Sequence, residues 1–166
     1  MSIHRLDLSY EDYLKAGKTI ADSQIDKYVI YEKLDSGAFG SVYRGMNSLT
    51  HKEVAIKVLD LAAIERDECS ARVKEIRRRL AKTESEMMMQ VDSDHVMKCY
   101  DVYENKWLKI MIIEYCNGGT LSEEIYKRGR IPEAEAIEVL KQIMLGISVN
   151  RQLSRPCTNS TSSIGT

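Results

Sequence analysis

A chain of 166 residues, 43% hydrophobic and 30% charged, holds enough apolar material for one packed core and too little for two full domains. Its 24 basic residues stand against 25 acidic ones, and a formal net charge of -1 gives no general attraction to nucleic acid or to a membrane surface, so neither is expected as a partner. Cys69, Cys99, Cys116 and Cys157 form no C-x-x-C pair and have no His at metal-ligand spacing, which speaks against a zinc site or a disulfide framework and fits a reducing, cytoplasmic setting.

Residues 1–27 mix charged and apolar side chains without a firm period, unlike a secretory signal, and read as an N-terminal extension in which Ser9 and Asp12 cap a short helix. Strand patterns follow over 28–34, 41–45 and 53–59, rich in Val, Ile and Tyr and divided by turn residues. The charged stretch 64–91 places Val73, Ile76, Leu80, Met87, Met88 and Val91 on one face at spacings of three and four, which predicts a long amphipathic helix broken near its start. Two further strands, 98–103 and 107–113, flank the polar turn Glu104-Asn105-Lys106. A helical region opens after Gly118-Gly119. Pro132, followed by Glu133 and Glu135, then starts a second helix that carries Ile137, Leu140, Ile143, Met144 and Ile147 and fades near Asn150. The Ser- and Thr-rich stretch 153–166 has little to bury and is expected to be disordered. No apolar run reaches membrane-spanning length.

Three local features carry chemistry. Between the first two strands, Gly37 and Gly40 would let backbone N–H groups approach a phosphate, although an ordinary hairpin turn explains both glycines as well. Lys57 sits inside the apolar run Val54-Ala55-Ile56-Lys57-Val58-Leu59, where an unpartnered ammonium is costly, and strand alternation turns it to the same face as Ala55. An edge-strand lysine that blunts aggregation would look similar. Glu84 lies within the apolar stripe of the long helix, four after Leu80 and four before Met88, and there a carboxylate needs a cation. One ion pair accounts for both exceptions more economically than two separate explanations, whether its role is structural or functional.

A glycine hairpin, a Val-Ala-Ile-Lys strand, a helix with an embedded Glu, and a strand ending Ile113-Glu114-Tyr115 before Gly118-Gly119 together resemble a eukaryotic-type protein kinase domain of the serine/threonine kind, over roughly residues 28–150. The resemblance implies an α+β fold: a small lobe with a five-stranded antiparallel sheet and one long helix, followed by two helices of an incomplete large lobe. It divides the chain into an extension (1–27), the small lobe and hinge (28–116), part of a large lobe (117–152) and a tail (153–166). By the same resemblance Gly37 and Gly40 would cover the ATP phosphates, Lys57 would hold the α- and β-phosphates, and Glu84 would orient Lys57. Val42 and Ala55 would sandwich the adenine, with Ile113 behind it, and the Glu114 carbonyl and Cys116 amide would bond its edge.

Three departures from the family pattern stand out. Asp35 occupies the loop's first glycine position and would repel a phosphate by about 1–4 kcal/mol at 4 Å. Glu84 follows Lys57 by 27 positions, further than in compact kinases. Beyond Asn150 the sequence reads Cys157-Thr158-Asn159-Ser160 where the resemblance calls for His-Arg-Asp, and Asp-Phe-Gly has no counterpart, so magnesium, expected with ATP in the family, lacks its ligands. The expectation is therefore a truncated, inactive ATP-binding chain; the alternative is a pseudokinase-like module that docks on another protein through the lobe interface. The basic cluster Arg72, Lys74, Arg77, Arg78, Arg79 and Lys82 is better read as a solvated helix face, and Asp92-Ser93-Asp94-His95 lacks the Gly and distal Glu of a calcium loop, so no metal site is expected.

Overall fold

The structure, a computed structural model, describes residues 3–37 and 40–153. In chain order its elements are β1 (Ile3–Arg5), α1 (Tyr10–Lys15), β2 (Gln24–Ile25), β3 (Tyr28–Gly37), β4 (Gly40–Asn47), β5 (Glu53–Asp60), α2 (Leu61–Arg66), α3 (Ala71–Gln90), β6 (Cys99–Glu104), β7 (Leu108–Glu114), α4 (Leu121–Arg128) and α5 (Glu133–Leu153). Of the expected disordered stretch, Leu153 ends α5 and 154–166 lie outside the described residues. No helix among the described residues is long and apolar enough to cross a membrane.

The five expected strands all form and pair antiparallel, in the order β6-β7-β5-β4-β3. Two short strands from the extension lengthen the sheet at its edges: β1 runs parallel to β6, and β2 pairs antiparallel with β3. Strand alternation sorts the apolar side chains onto two faces. On one face Tyr28, Ile30, Tyr43, Val54, Ile56, Val58, Ile110 and Ile112 pack with Leu6, Tyr13 and Ile20, so residues 3–25 cover that face and are part of the fold. Without that cover a row of aliphatic side chains would meet water, at about 25 cal/mol for each Å² exposed. The opposite face carries Ala55, Cys99, Val102, Met111 and Ile113, with Met88 and Met89 of α3 packed on them.

Helix α3 departs from the expected packing. Val73, Ile76 and Leu80, three members of its apolar stripe, are 36%, 50% and 62% exposed, while the one fully buried residue among those described in the helix is Ser85. The cause is where the helix meets the sheet: Ser85, Met88 and Met89 in its C-terminal half touch it. The N-terminal half is braced by charge instead. Arg77 pairs with Asp67, and Arg78 with Glu65 and Glu75, so much of the basic cluster is tied up in local ion pairs. The helix also begins where the charge pattern breaks, with Ser70 accepting from the Val73 amide as N-cap after the short α2. Further along, Thr120 and Glu123 close a capping box on α4. Helix α5 passes so close to the loop after α3 that a Cβ on Gly146 would lie 2.8 Å from the His95 carbonyl oxygen.

Asp101 knots the covered face together. Its carboxylate accepts from the Tyr28 hydroxyl, pairs with Lys27 at 3.0 Å, and lies 3.4 Å from His4 Nε2 on β1. Burial alone would raise its pKa, but the Tyr28 hydroxyl and the Lys27 ammonium favour the charged form and hold it below the usual carboxylate range. A group whose native pKa is depressed stabilises the fold above its unfolded value, and that stabilisation is lost as pH falls through the native one. Asp101→Asn should therefore cost about 1–3 kcal/mol at pH 7, as the loss of a charged acceptor. In thermal melts across pH, the gap to the parent chain should close on acidification below about pH 4. A pH-independent gap would mean that the carboxylate charge is not what matters.

Candidate functional site

The site is laid out by β-sheet register. Val42 pairs with Lys57, Lys57 with Met111, and Ala55 with Ile113, so these residues share the face on which α3 lies. Ala55 and Ile113 are nearly buried, and Val42 is half-buried. From the helix above, Glu84 reaches down so that its Oε1 accepts from Lys57 Nζ at 2.6 Å. The two charges meet as the sequence pattern required, but in different surroundings: their side chains are 29% and 41% exposed. Both are partly open to solvent and not sealed in the core. A half-exposed pair adds only about 0–1 kcal/mol to stability, so what it chiefly supplies is the fixed placement of an ammonium.

Gly37 and Gly40 close the β3–β4 hairpin as directly opposed partners; Ala38 and Phe39 between them lie outside the described residues. The two glycines differ in what they require. A Cβ on Gly40 would fall 2.2 Å from the Val58 carbonyl oxygen, so β4 lies against β5 only because that atom is missing. Gly37 has nothing within 4 Å of a built Cβ, leaving open space on that side of the hairpin. Asp35, the departure from the family loop, turns its Oδ1 back to accept from the Ser36 amide at 2.7 Å.

At the far end of the same sheet face, β7 terminates at Glu114, whose amide donates to the Lys98 carbonyl at 2.8 Å while its carboxylate accepts from the Lys98 amide at 3.2 Å. These bonds clamp the end of β7 to the start of β6 and leave Cys116 exposed just beyond it. Cys99, by contrast, is buried in the sheet, and burial, with a smaller push from Asp101, raises its thiol to about 11. Asp94 pairs with Lys98 at 3.2 Å, and among the described residues no group of three or more His, Cys, Asp or Glu is placed to hold a metal ion. The same sheet face carries Arg44, opposite Ala55, held by Glu32 at 2.6 Å and Glu53 at 2.9 Å.

One residue of consequence escaped the reading of the sequence. Lys109 on β7 is 2% exposed, and its Nζ reaches Ser85 Oγ at 2.9 Å, the Ala81 carbonyl at 3.3 Å and Glu104 Oε2 at 2.9 Å. The signal that singled out Lys57, an ammonium inside an apolar strand, was equally present in Leu108-Lys109-Ile110-Met111.

The glycine geometry makes a sharp prediction. Gly40→Ala should lower stability by about 1–3 kcal/mol, because backbone cannot yield to the new methyl as a flexible side chain would. Gly37→Ala should melt within a degree or two of the parent chain. Equal melting temperatures for the two variants would contradict the close approach of β4 to β5.

The protein kinase domain family matches this chain over residues 28–150. Among curated proteins, Calcium-dependent protein kinase 5 of Plasmodium berghei (strain Anka) is 32% identical over 125 residues, which cover 75% of this chain and 20% of that protein. Calcium-dependent protein kinase 5 of Plasmodium falciparum (isolate 3D7) is 33% identical over 120 residues, 72% of this chain and 18% of that protein. The Hormonally up-regulated neu tumor-associated kinase homolog of Xenopus tropicalis is 30% identical over 124 residues, covering 75% and 17%. The chain thus spans about a fifth of the length of the curated relatives it matches. Because the family match takes in every strand from β3 to β7, helix α3 and most of α5, the chain belongs to the protein kinase family.

Proposed function

We propose that this chain binds ATP in the cleft between the β3–β4 hairpin and the 113–116 segment, as the nucleotide-holding part of a protein serine/threonine kinase. The observation that carries the reading is the 2.6 Å contact between Lys57 and Glu84, placed on the same sheet face as Val42, Ala55 and Ile113. A lysine so held presents a fixed positive charge to an anion entering the cleft, and fixed charge is what phosphate binding requires. Val42 and Ala55 form an apolar wall for the adenine with Ile113 behind it, and backbone at Glu114 and Cys116 offers the polar edge. Gly37 and Gly40 cover the phosphates. Since Asp35 already accepts from the Ser36 amide, its charge weakens phosphate binding without preventing it.

On this reading residues 28–116 are the small lobe and hinge, and 117–152 begin the large lobe. Leu121, Ile125, Leu140 and Ile143 on α4 and α5 leave apolar surface exposed, which supports assigning those helices to a lobe completed by further polypeptide or by a partner protein. Phosphotransfer belongs to the whole protein. Residues 1–166 contain neither His-Arg-Asp nor Asp-Phe-Gly, and without a base or metal ligands that segment alone binds nucleotide and does not transfer phosphate. The magnesium that accompanies ATP in kinases would be held through motifs, Asp-Phe-Gly among them, that residues 1–166 do not contain.

Calorimetric titration with ATP tests the site. Lys57→Met should weaken binding about 10- to 100-fold, the loss of one charge-assisted hydrogen bond. Asp35→Gly should tighten it severalfold. An unchanged curve for Lys57→Met would remove that residue from the site, and an unchanged or weaker Asp35→Gly would mean the hairpin does not cover the phosphates.

A further inference from the structure

A buried ammonium fixes whatever supplies its oxygens. Lys109 and Lys57 lie on adjacent strands and reach consecutive residues of α3, Ser85 and Glu84. Successive residues of an α-helix point about 100° apart, so a helix that presents Ser85 to the sheet directly beneath it turns Glu84 sideways, towards the cleft. Ser85 in turn donates to the Lys82 carbonyl at 2.9 Å, which leaves its oxygen free to accept from Lys109. The Ala81 carbonyl, one turn earlier, is the second helix acceptor, and Glu104 on the neighbouring strand supplies a counter-charge.

The other charged contacts that tie α3 to neighbouring segments lie in its N-terminal half, where Arg77 pairs with Asp67 and Arg78 with Glu65, away from the sheet beneath Ser85. Val73, Ile76 and Leu80 are exposed, so the first half of the expected apolar stripe does not grip the sheet, and Met88 and Met89, which do, are flexible side chains that repack readily. Rolling α3 by one residue, about 100°, would carry Ser85 and the Ala81 carbonyl away from Lys109 and strip an almost fully buried ammonium of two of its oxygens. Buried polar contacts of this kind act through specificity of arrangement more than through net stability.

We propose that Lys109 is a positioning residue for the nucleotide site: by pinning Ser85 and Ala81 it sets the roll of α3 that brings Glu84 to Lys57. The proposal rests on the ATP-binding reading for its functional meaning and on geometry alone for its mechanism. Both are measured with the full chain and its variants. The first readout needs no nucleotide: the rate at which trace acetic anhydride acetylates Lys57, followed by mass spectrometry, with Glu84→Gln as the reference for an unheld lysine. Lys109→Met, which keeps length and removes the charge, should raise Lys57 acetylation to the Glu84→Gln rate, and the double variant should go no higher. Ser85→Ala should shift the rate in the same direction by less, and it decides the matter if Lys109→Met does not fold. The second readout is ATP affinity, which should fall severalfold in Lys109→Met and not fall further when Lys109→Met is added to Glu84→Gln. Unchanged Lys57 acetylation in the folded variants overturns the proposal, as does an affinity loss that is the same with and without Glu84. A parent chain that shows the acetylation pattern but binds no ATP sinks the ATP reading and leaves the positioning role standing.

Discussion

Two lysines on neighbouring strands face the same helix, and each must find oxygen. Lys57 takes it from Glu84 at 2.6 Å, and Lys109 from Ser85 at 2.9 Å and the Ala81 carbonyl at 3.3 Å. Because the two acceptor side chains are consecutive in α3, satisfying one lysine constrains the other. The constraint is directional, where apolar packing is not, and it acts on a helix whose aliphatic stripe is largely left in solvent. The energies involved divide the labour: the half-exposed pair contributes little to stability, whereas the buried ammonium cannot be left without partners at small cost.

The rest of the sheet makes that arrangement possible. Lys57 and Ala55 lie on the α3 side of the sheet because Val54, Ile56 and Val58 are drawn to the opposite face, which Leu6, Tyr13 and Ile20 close over. Gly40 lets β4 approach β5 closely, which brings Val42 level with Lys57. The extension thus supports the Lys57–Glu84 pair at a distance, through the opposite face of the sheet, and Asp101 ties that layer down through Tyr28, Lys27 and His4.

Much of this was legible in the residues. Val-, Ile- and Tyr-rich runs bounded by turn residues gave the five strands, the helix over 64–91 was expected to break near its start and does so between α2 and α3, and charge inside an apolar pattern paired Lys57 with Glu84 across 27 positions. Other features were not readable, for physical reasons. Leu6, Tyr13 and Ile20 stand seven apart, yet only Tyr13 lies in a helix. The three reach the core from separate pieces of a short, winding segment, so their spacing did not reveal a buried layer and 1–27 read as an extension. The α3 stripe misled because periodicity reports which residues share a face and not whether a partner surface lies opposite. The same pattern that exposed Lys57 held Lys109 as well, but Lys109's chief helix partner is a serine, whose small neutral side chain leaves no mark in a charge pattern.

The central claim is that a nucleotide's phosphates come to rest at the lysine Glu84 holds. An acyl phosphate derivative of ATP tests it most directly, since the bound reagent transfers its acyl group to the amine nearest the phosphates, and peptide mass spectrometry then locates the adduct. The adduct should fall predominantly on Lys57 and be suppressed by excess ATP. Acylation spread over the surface lysines, or insensitive to ATP, would contradict it.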